Sequence, residues 1–374
     1  MSLAHARTGA EAGLSSFSRL VGLLRCLKCR GALRVVELAS PGGYPELGPD
    51  GRLDCTGCGS GYPVIGGTPR MLREPQLAEL RARYPRARCA LEQWVRETSE
   101  DAPELAVKRR TAASFAYEWK RFGILREEWR KNFLDYMRPL SPDWLVEKLA
   151  LDVGTGSGRH SYWAGRLGAR VAAVDFGDAI DVARANLPDE ALTVEADAED
   201  LPFDEGTFDL VMLIGVLHHL PDPQRALVSI SRYARRGGLI RLYVYWQPPW
   251  SWHRSVLRLV SGVRLVTVRM PHRLLHALCF PLAALLFGLF VLPYRLMRRL
   301  RSLHSVADRM PLKTYADYSF QVCVNDQFDR FSAPLERRFE RQEVERLLAG
   351  AGLVDTWVTA HHGWLGAGRR PASA

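Results

Sequence analysis

The sequence predicts an α/β protein. Its main part is a mostly parallel sheet wound with helices, preceded by a small metal-binding domain and interrupted by a helical apolar insert. Three observations carry this. From Leu151 onward, short apolar strands alternate with helices and end in glycine or an acid. Two Cys-x-x-Cys pairs stand near the N-terminus, and Leu274–Tyr294 runs for 21 residues without a formal charge. With 374 residues and 47% apolar content, the chain can bury a sizeable core as one large domain plus a small one.

Residues 1–20 alternate charges and small side chains, with no continuous apolar core or cleavage site. They are expected to be disordered and do not read as a secretory signal. The protein is therefore expected in the cytoplasm, where its seven cysteines serve as thiols or metal ligands rather than disulfides. Net charge is +10, and its placement is informative: between Gln247 and Ala307 stand nine arginines and no Asp, Glu or Lys. The rest of the chain is near neutral, so the basic excess belongs to the insert.

Cys26 with Cys29 and Cys55 with Cys58 form two knuckles separated by 25 residues. Each presents two thiolates on one side of a tight turn. Joined by a small sheet, the two turns complete a tetrahedral site for structural zinc. The intervening stretch supplies a strand and a Pro/Gly-rich loop, and "GSGYPVIGGTPRML" returns as a strand and a turn. Residues 21–72 thus resemble the small zinc-ribbon family that activates tRNA and protein methyltransferases. Fusions of that type imply either an RNA grip or a folding cover for an apolar flank. No basic run interleaved with aromatics crosses Cys26–Met71, so nucleic acid is not the expected partner. Cys89, Cys279 and Cys323 are read as core or helix thiols.

Residues 73–111, punctuated by Pro75, Pro85 and Pro103, read as short surface helices linking the ribbon to the sheet. The run "SFAYEWKRFGILREEWRKNFLDYM" reads as an amphipathic helix, with Phe115, Trp119, Phe122 and Trp129 forming a core-facing stripe.

In "LDVGTGSGRH", from Leu151 to His160, a strand runs into Gly154, Gly156 and Gly158 and then a helix. Glycine there lets backbone N–H groups approach a ligand with no Cβ in the way. The next strand ends in Asp175, 21 positions after Gly154, where a carboxylate can accept both hydroxyls of a ribose. The third glycine comes four positions after the first, not the five of a dinucleotide fingerprint. Asp152 precedes the turn. "LTVEADAEDLPF" places Asp197 where its carboxylate, or the neighbouring backbone at Ala198, can meet an adenine amino group. "FDLVMLIGVLHHLPDP" is a buried strand that opens at Gly215 into a His-rich turn, and "ARRGGLIRLYVYW" is a Gly-Gly turn into another strand.

In this order the landmarks resemble the class I S-adenosylmethionine-dependent methyltransferases, type 11-like, particularly the branch with ubiquinone and menaquinone methyltransferases. The resemblance covers Ala112 to Trp246 and, less tightly, Arg338 to Arg369. It implies a Rossmann-like, seven-stranded sheet with a reversed last hairpin, built from residues 112–246 and 334–374. It also implies S-adenosylmethionine as cofactor, held by Asp152, Gly154, Gly156, Gly158, Asp175, Asp197, Ala198 and Gly215. Tyr117 and Trp119, ahead of the first strand, would cap its methionine end. Members acting on base or glutamine amide nitrogens carry an Asn/Asp-Pro-Pro-aromatic motif after the fourth strand. Here that position reads Ile214-Gly215-Val216-Leu217, which points away from amide or exocyclic amine acceptors. His218 and His219 are candidates for a base or substrate donor; equally, one of them caps the turn before Pro221.

Residues 247–333 form an insert where this fold commonly builds a substrate cap. Leu274–Tyr294 is long enough to span a bilayer, but a single crossing would leave the last two strands on the wrong side. Pro281, Gly288 and Pro293 are also expected to break the run. Two readings stay open. One is an apolar helix pair that roofs the site or forms a dimer contact. The other is a re-entrant or surface-lying hairpin that meets the inner face of the membrane through 274–301, with its arginines at headgroup level. Asp326, Asp329 and Arg330 are candidates for orienting a polar substrate head, or for pairing the cap with the sheet. The expected function is O- or C-methylation of an amphipathic or lipid-like small molecule. The alternative is an RNA methyltransferase that grips RNA through its ribbon.

Overall fold

The computed structural model describes residues 21–38, 50–77, 79–85, 103–247, 251–300, 303–307 and 310–372. The expected disorder of 1–20 and the reading of Cys89 lie outside the described residues. The chain divides into two compact units, one of Met1–Ala112, Leu125–Gln247 and Leu335–Ala374, the other of Ala113–Ile124 and Pro248–Pro334. Residues 113–124, which the sequence reading joined to the sheet, cluster with the second unit.

The first unit is built on strands β1 (Leu33–Leu38), β2 (Gly51–Cys55), β3 (Gly61–Ile65), β4 (Thr68–Met71), β5 (Leu149–Val153), β6 (Arg170–Asp175), β7 (Leu192–Ala196), β8 (Phe208–Ile214), β9 (Ala234–Val244), β10 (Val354–Ala360) and β11 (Trp364–Arg369). Their order is β1-β2-β3-β4-β7-β6-β5-β8-β9-β11-β10. From β7 to β9 neighbours run parallel, and β11 and β10 close the far edge antiparallel. The seven strands expected are exceeded, because the antiparallel strands β1–β4 join the same sheet. The junction is β4 lying parallel to β7, with Arg70 opposite Glu195 and Met71 opposite Ala196.

β5, β6 and β8 are buried nearly end to end, as parallel strands covered on both faces must be. On one face, Phe133, Tyr136, Trp163, Ile180 and Met212 share a core. The other face continues without a seam from Leu24, Leu53 and Met71 of the N-terminal segment to Val194, Phe203 and Leu227.

The stretch expected as one amphipathic helix is two, Pro103–Phe122 and Glu128–Met137. Gly123 follows the first, where a residue with no side chain contributes little to holding a helical turn. The aromatic stripe Phe115, Trp119, Phe122 and Trp129 is only half-buried. The buried face of the first helix instead carries Thr111, Ser114, Ala116 and Glu118, with Ser114 donating to Ser332 at 2.7 Å.

The second unit holds the helices Ser251–Thr267, His272–Leu286 and Phe320–Ser332. Pro281, Gly288 and Pro293 do not break the run as expected. A widened turn over Phe287–Val291 carries the helix on into Leu292–Met297, and such a turn accommodates the ring clash and lost hydrogen bond around Pro293. The result is a continuous helix, His272–Met297, of 26 residues, long and apolar enough to cross a membrane by length and composition.

Candidate functional site: a glycine turn and its acids

β5 ends in a turn whose three glycines all have positive φ: Gly154 at 72°, Gly156 at 58° and Gly158 at 80°. A side chain is excluded at Gly154 for a second reason, since a Cβ would stand 2.4 Å from Cγ2 of Val216. Val174 receives the N–H groups of Gly154 and Thr155 at 2.8 and 3.0 Å. The helix Arg159–Arg166 then starts from Gly158.

Asp152 is almost fully buried, and its Oδ2 accepts from Thr155 Oγ1 at 2.8 Å and Ser161 Oγ at 2.7 Å. These bonds tie the turn to the following helix, so the side chain fixes the loop's shape. Burial raises its carboxyl above the usual range. Asp175, at the end of β6, accepts the Gly156 N–H at 2.7 Å and its own neighbour's, Phe176, at 2.8 Å. Burial pushes its carboxyl up to about 7 against those two donors. Gly215 ends β8 with φ 84°, and a Cβ there would meet nothing within 4 Å. Asp152, the glycines, Asp175, Asp197 and Gly215 therefore all stand at the carboxyl ends of adjacent parallel strands, the edge where such sheets take ligands. A half-buried acid, hinge glycines and open space beyond Gly215 fit the adenosine part of S-adenosylmethionine.

Asp197, just past β7, has a partner that sequence reasoning missed. Lys108 Nζ lies 3.1 and 2.9 Å from its two oxygens and 2.6 Å from Glu199 Oε2. Burial alone would lower the ammonium's pKa, but Asp197 and Glu199 hold it above its usual value. Glu199 N–H also donates to Asp197 at 3.0 Å. Ala198, between them, is half-buried.

His218 and His219 form a short turn after Gly215. His219 Nδ1 lies 2.7 Å from the Leu335 carbonyl, and among the described residues no side chain caps the turn before Pro221. His218 is fully buried, its ring stacked 4.0 Å from that of Tyr245. Both its ring nitrogens lack a partner, and burial drives its pKa well below the usual value, leaving it neutral.

The four thiols converge. Sγ atoms of Cys26, Cys29, Cys55 and Cys58 all lie within 4.8 Å of one another. Cys26 and Cys58 are 3.6 Å apart, and Cys29 and Cys55 3.4 Å. A tetrahedron of ~2.3 Å zinc–sulfur bonds needs edges of about 3.8 Å, so this donor set fits zinc. Backbone N–H groups of Lys28 and Gly57 point at Sγ of Cys26 and Cys55, each at 3.4 Å.

The remaining expected site residues belong to the second unit. Asp326 accepts the Tyr315 hydroxyl at 2.7 Å, and Asp329 and Arg330 follow on the same helix, half-buried. Tyr117 packs its ring 5.2 Å from both His272 and Phe328, with Arg121 over its face. Trp119 is half-buried on the same helix.

Known proteins similar to this chain are methyltransferases. The methyltransferase domain family matches residues 151–242. A ubiquinone biosynthesis O-methyltransferase of Dechloromonas aromatica is 30% identical over 173 residues, which span 41% of this chain and 72% of that protein. A demethylmenaquinone methyltransferase of Clavibacter sepedonicus is 35% identical over 102 residues, 26% of this chain and 42% of the relative. Among solved structures, the 1,6-didemethyltoxoflavin-N1-methyltransferase of Burkholderia thailandensis aligns with a TM-score of 0.39 at 18% identity, covering 74% of this chain and 93% of its own. The chain belongs to the class I S-adenosylmethionine-dependent methyltransferases. It spans between 42% and 61% of the length of the first curated relatives it matches.

Proposed function

We propose that this protein methylates an oxygen or carbon of an amphipathic, lipid-like small molecule, using S-adenosylmethionine. The observation that carries the reading is the glycine turn with Asp175 bound to it, at the ligand-binding edge of the sheet. Relatives named for demethylmenaquinone methylation and ubiquinone biosynthesis support the acceptor class.

The cofactor, when bound, supplies an electrophilic methyl on a sulfonium. Everything else falls to the chain's own residues. Asp175 would receive the ribose hydroxyls, and the backbone around Gly154, Gly156 and Gly215 would leave room for the nucleoside. Asp197 and Ala198 would hold the adenine, and Lys108, bonded to both oxygens of Asp197, neutralises that acid. His218, whose two ring nitrogens have no hydrogen-bond partner, is the residue assigned to take the proton released from an acceptor hydroxyl. Asp326, Asp329 and Arg330 are the residues assigned to the acceptor's polar head. Zinc on the cysteine quartet is structural.

The test is incubation of purified protein with methyl-labelled cofactor and fractionated cell extract. Label is expected in the lipid-extractable fraction, and His218→Asn should lower kcat with little change in cofactor affinity. Label appearing only in RNA would sink the proposal.

A further inference from the structure

The helix His272–Met297 turns one side into its own unit and leaves the other bare. Leu275, Cys279 and Ala283 are buried, on a helix that packs against Phe320–Ser332. Turned away from that buried side, Leu274, Leu278, Leu285, Leu289, Leu292 and Leu296 recur at steps of three, four or seven, each between 48% and 63% exposed. That spacing keeps them on the exposed side of the helix, in a band that the widened turn at Phe287–Val291 carries part-way around it. The helix before it, Ser251–Thr267, adds Leu259, Leu265 and Val266, at 71%, 67% and 61% exposure. Single exposed leucines are ordinary on protein surfaces; a continuous row of them marks a contact surface.

Charge decides what the row contacts. Every formally charged residue between Gln247 and Ala307 is an arginine. Arg269 and Arg273 are exposed at the start of the row, and Arg298 and Arg299 at its end. Arg298 meets an acid, Asp317, at 2.8 Å; no acid lies within the segment itself. A second copy laid on this face, parallel or antiparallel, would bring arginine ends against arginine ends. An apolar layer with an anionic surface complements the pattern, leucines below and arginines at headgroup level. A helix of 26 residues measures about 39 Å and can lie along such a surface.

We propose that the leucine row of His272–Met297 is a docking surface for an anionic lipid bilayer. Docking is read from sedimentation and stands or falls apart from methyl transfer. The full chain is spun with vesicles of phosphatidylcholine alone, and of phosphatidylcholine mixed with phosphatidylglycerol. It is expected to pellet with the mixed vesicles and to be released by high salt. Leu285→Asp with Leu289→Asp should weaken the association by at least about tenfold. Arg273→Ser with Arg299→Ser should weaken it about fivefold per arginine. All four positions are exposed or surface-facing, so the melting temperature should hold in both variants. Three results overturn the proposal: no pelleting with either vesicle, equal pelleting with neutral vesicles, or undiminished pelleting of the leucine variant. A fourth is a wild-type dimer in solution that the leucine variant splits, with no vesicle binding, which would make the face an interface between copies.

Discussion

At Asp175, two backbone donors and burial pull in opposite directions, and burial prevails, placing the carboxyl at about 7. Its charged form, which can accept from two hydroxyls at once, is therefore complete only above that value. As pH falls through 7 the neutral acid accumulates, and cofactor affinity should fall with it. Titration calorimetry with S-adenosylhomocysteine should show binding several-fold weaker at pH 6 than at pH 8. Asp175→Ala should weaken binding at pH 8 by at least about tenfold, the loss of charge-assisted hydrogen bonds, with circular dichroism unchanged. Equal affinity in the variant would remove the ribose assignment. Residues of this kind are legible because their meaning is local: a strand, a glycine turn, and an acid one strand later. Lys108 is not. Its partner Asp197 lies 89 positions away, and nothing in the run "ELAVKRR" separates that lysine from its basic neighbours.

Among the elements, β4 shows most clearly what pattern alone does not reach. "TPRM" is four residues with a proline, following Gly66 and Gly67, and it reads as a turn. Folded, it is the seam of the sheet. Arg70 is fully buried, with NH1 on Glu195 at 3.0 Å and NH2 on Asp181 at 2.7 Å. Arg83 also reaches Glu195, and Tyr84 donates to Asp181 at 2.7 Å. Burial acts against the Arg70 charge, but Tyr84, Asp181 and Glu195 together hold its pKa above the usual value. A buried arginine is unreadable from sequence, because the acids that make it tolerable come from β7 and the helix Ala179–Asn186. The cysteine pairs at the other end of the same domain are readable, since metal spacing is a short-range property. The apolar insert lies between these cases. Its composition gives a helix, but its prolines suggest breaks that the widened turn at Phe287–Val291 absorbs. Arg70→Met would leave Glu195 buried with half its partners. It should destabilise the fold by about 3–5 kcal/mol in chemical denaturation. Adding Glu195→Gln should restore part of that loss, and a cost within about 0.5 kcal/mol for Arg70→Met alone would show that the ion cluster carries no stability.

At the scale of the sheet-bearing unit, the cysteine domain is not an appendage. Leu24, Leu53, Val64 and Met71 belong to the same core as Val194, Phe203 and Leu213. Leu24 bridges to Phe203, and Arg30 and Arg73 reach Leu201 and Asp200. The strand that receives β4 is β7, and β7 leads directly into Asp197. A metal bound by the thiols would therefore support one end of a continuous structure whose other end is the cofactor edge. Zinc removal should accordingly be felt twice. Chelation should lower the melting temperature by at least about 5 °C, and it should weaken cofactor binding although no thiol lies among the cofactor residues. Zinc added back should restore both, and Cys55→Ser should reproduce the chelated state, whereas Cys279→Ser, outside the quartet, should keep its metal. Metal analysis beside thermal denaturation decides the matter. Protein that purifies without zinc, or melts at the same temperature with and without chelator, would show that packing between β4 and β7 holds the ribbon on its own.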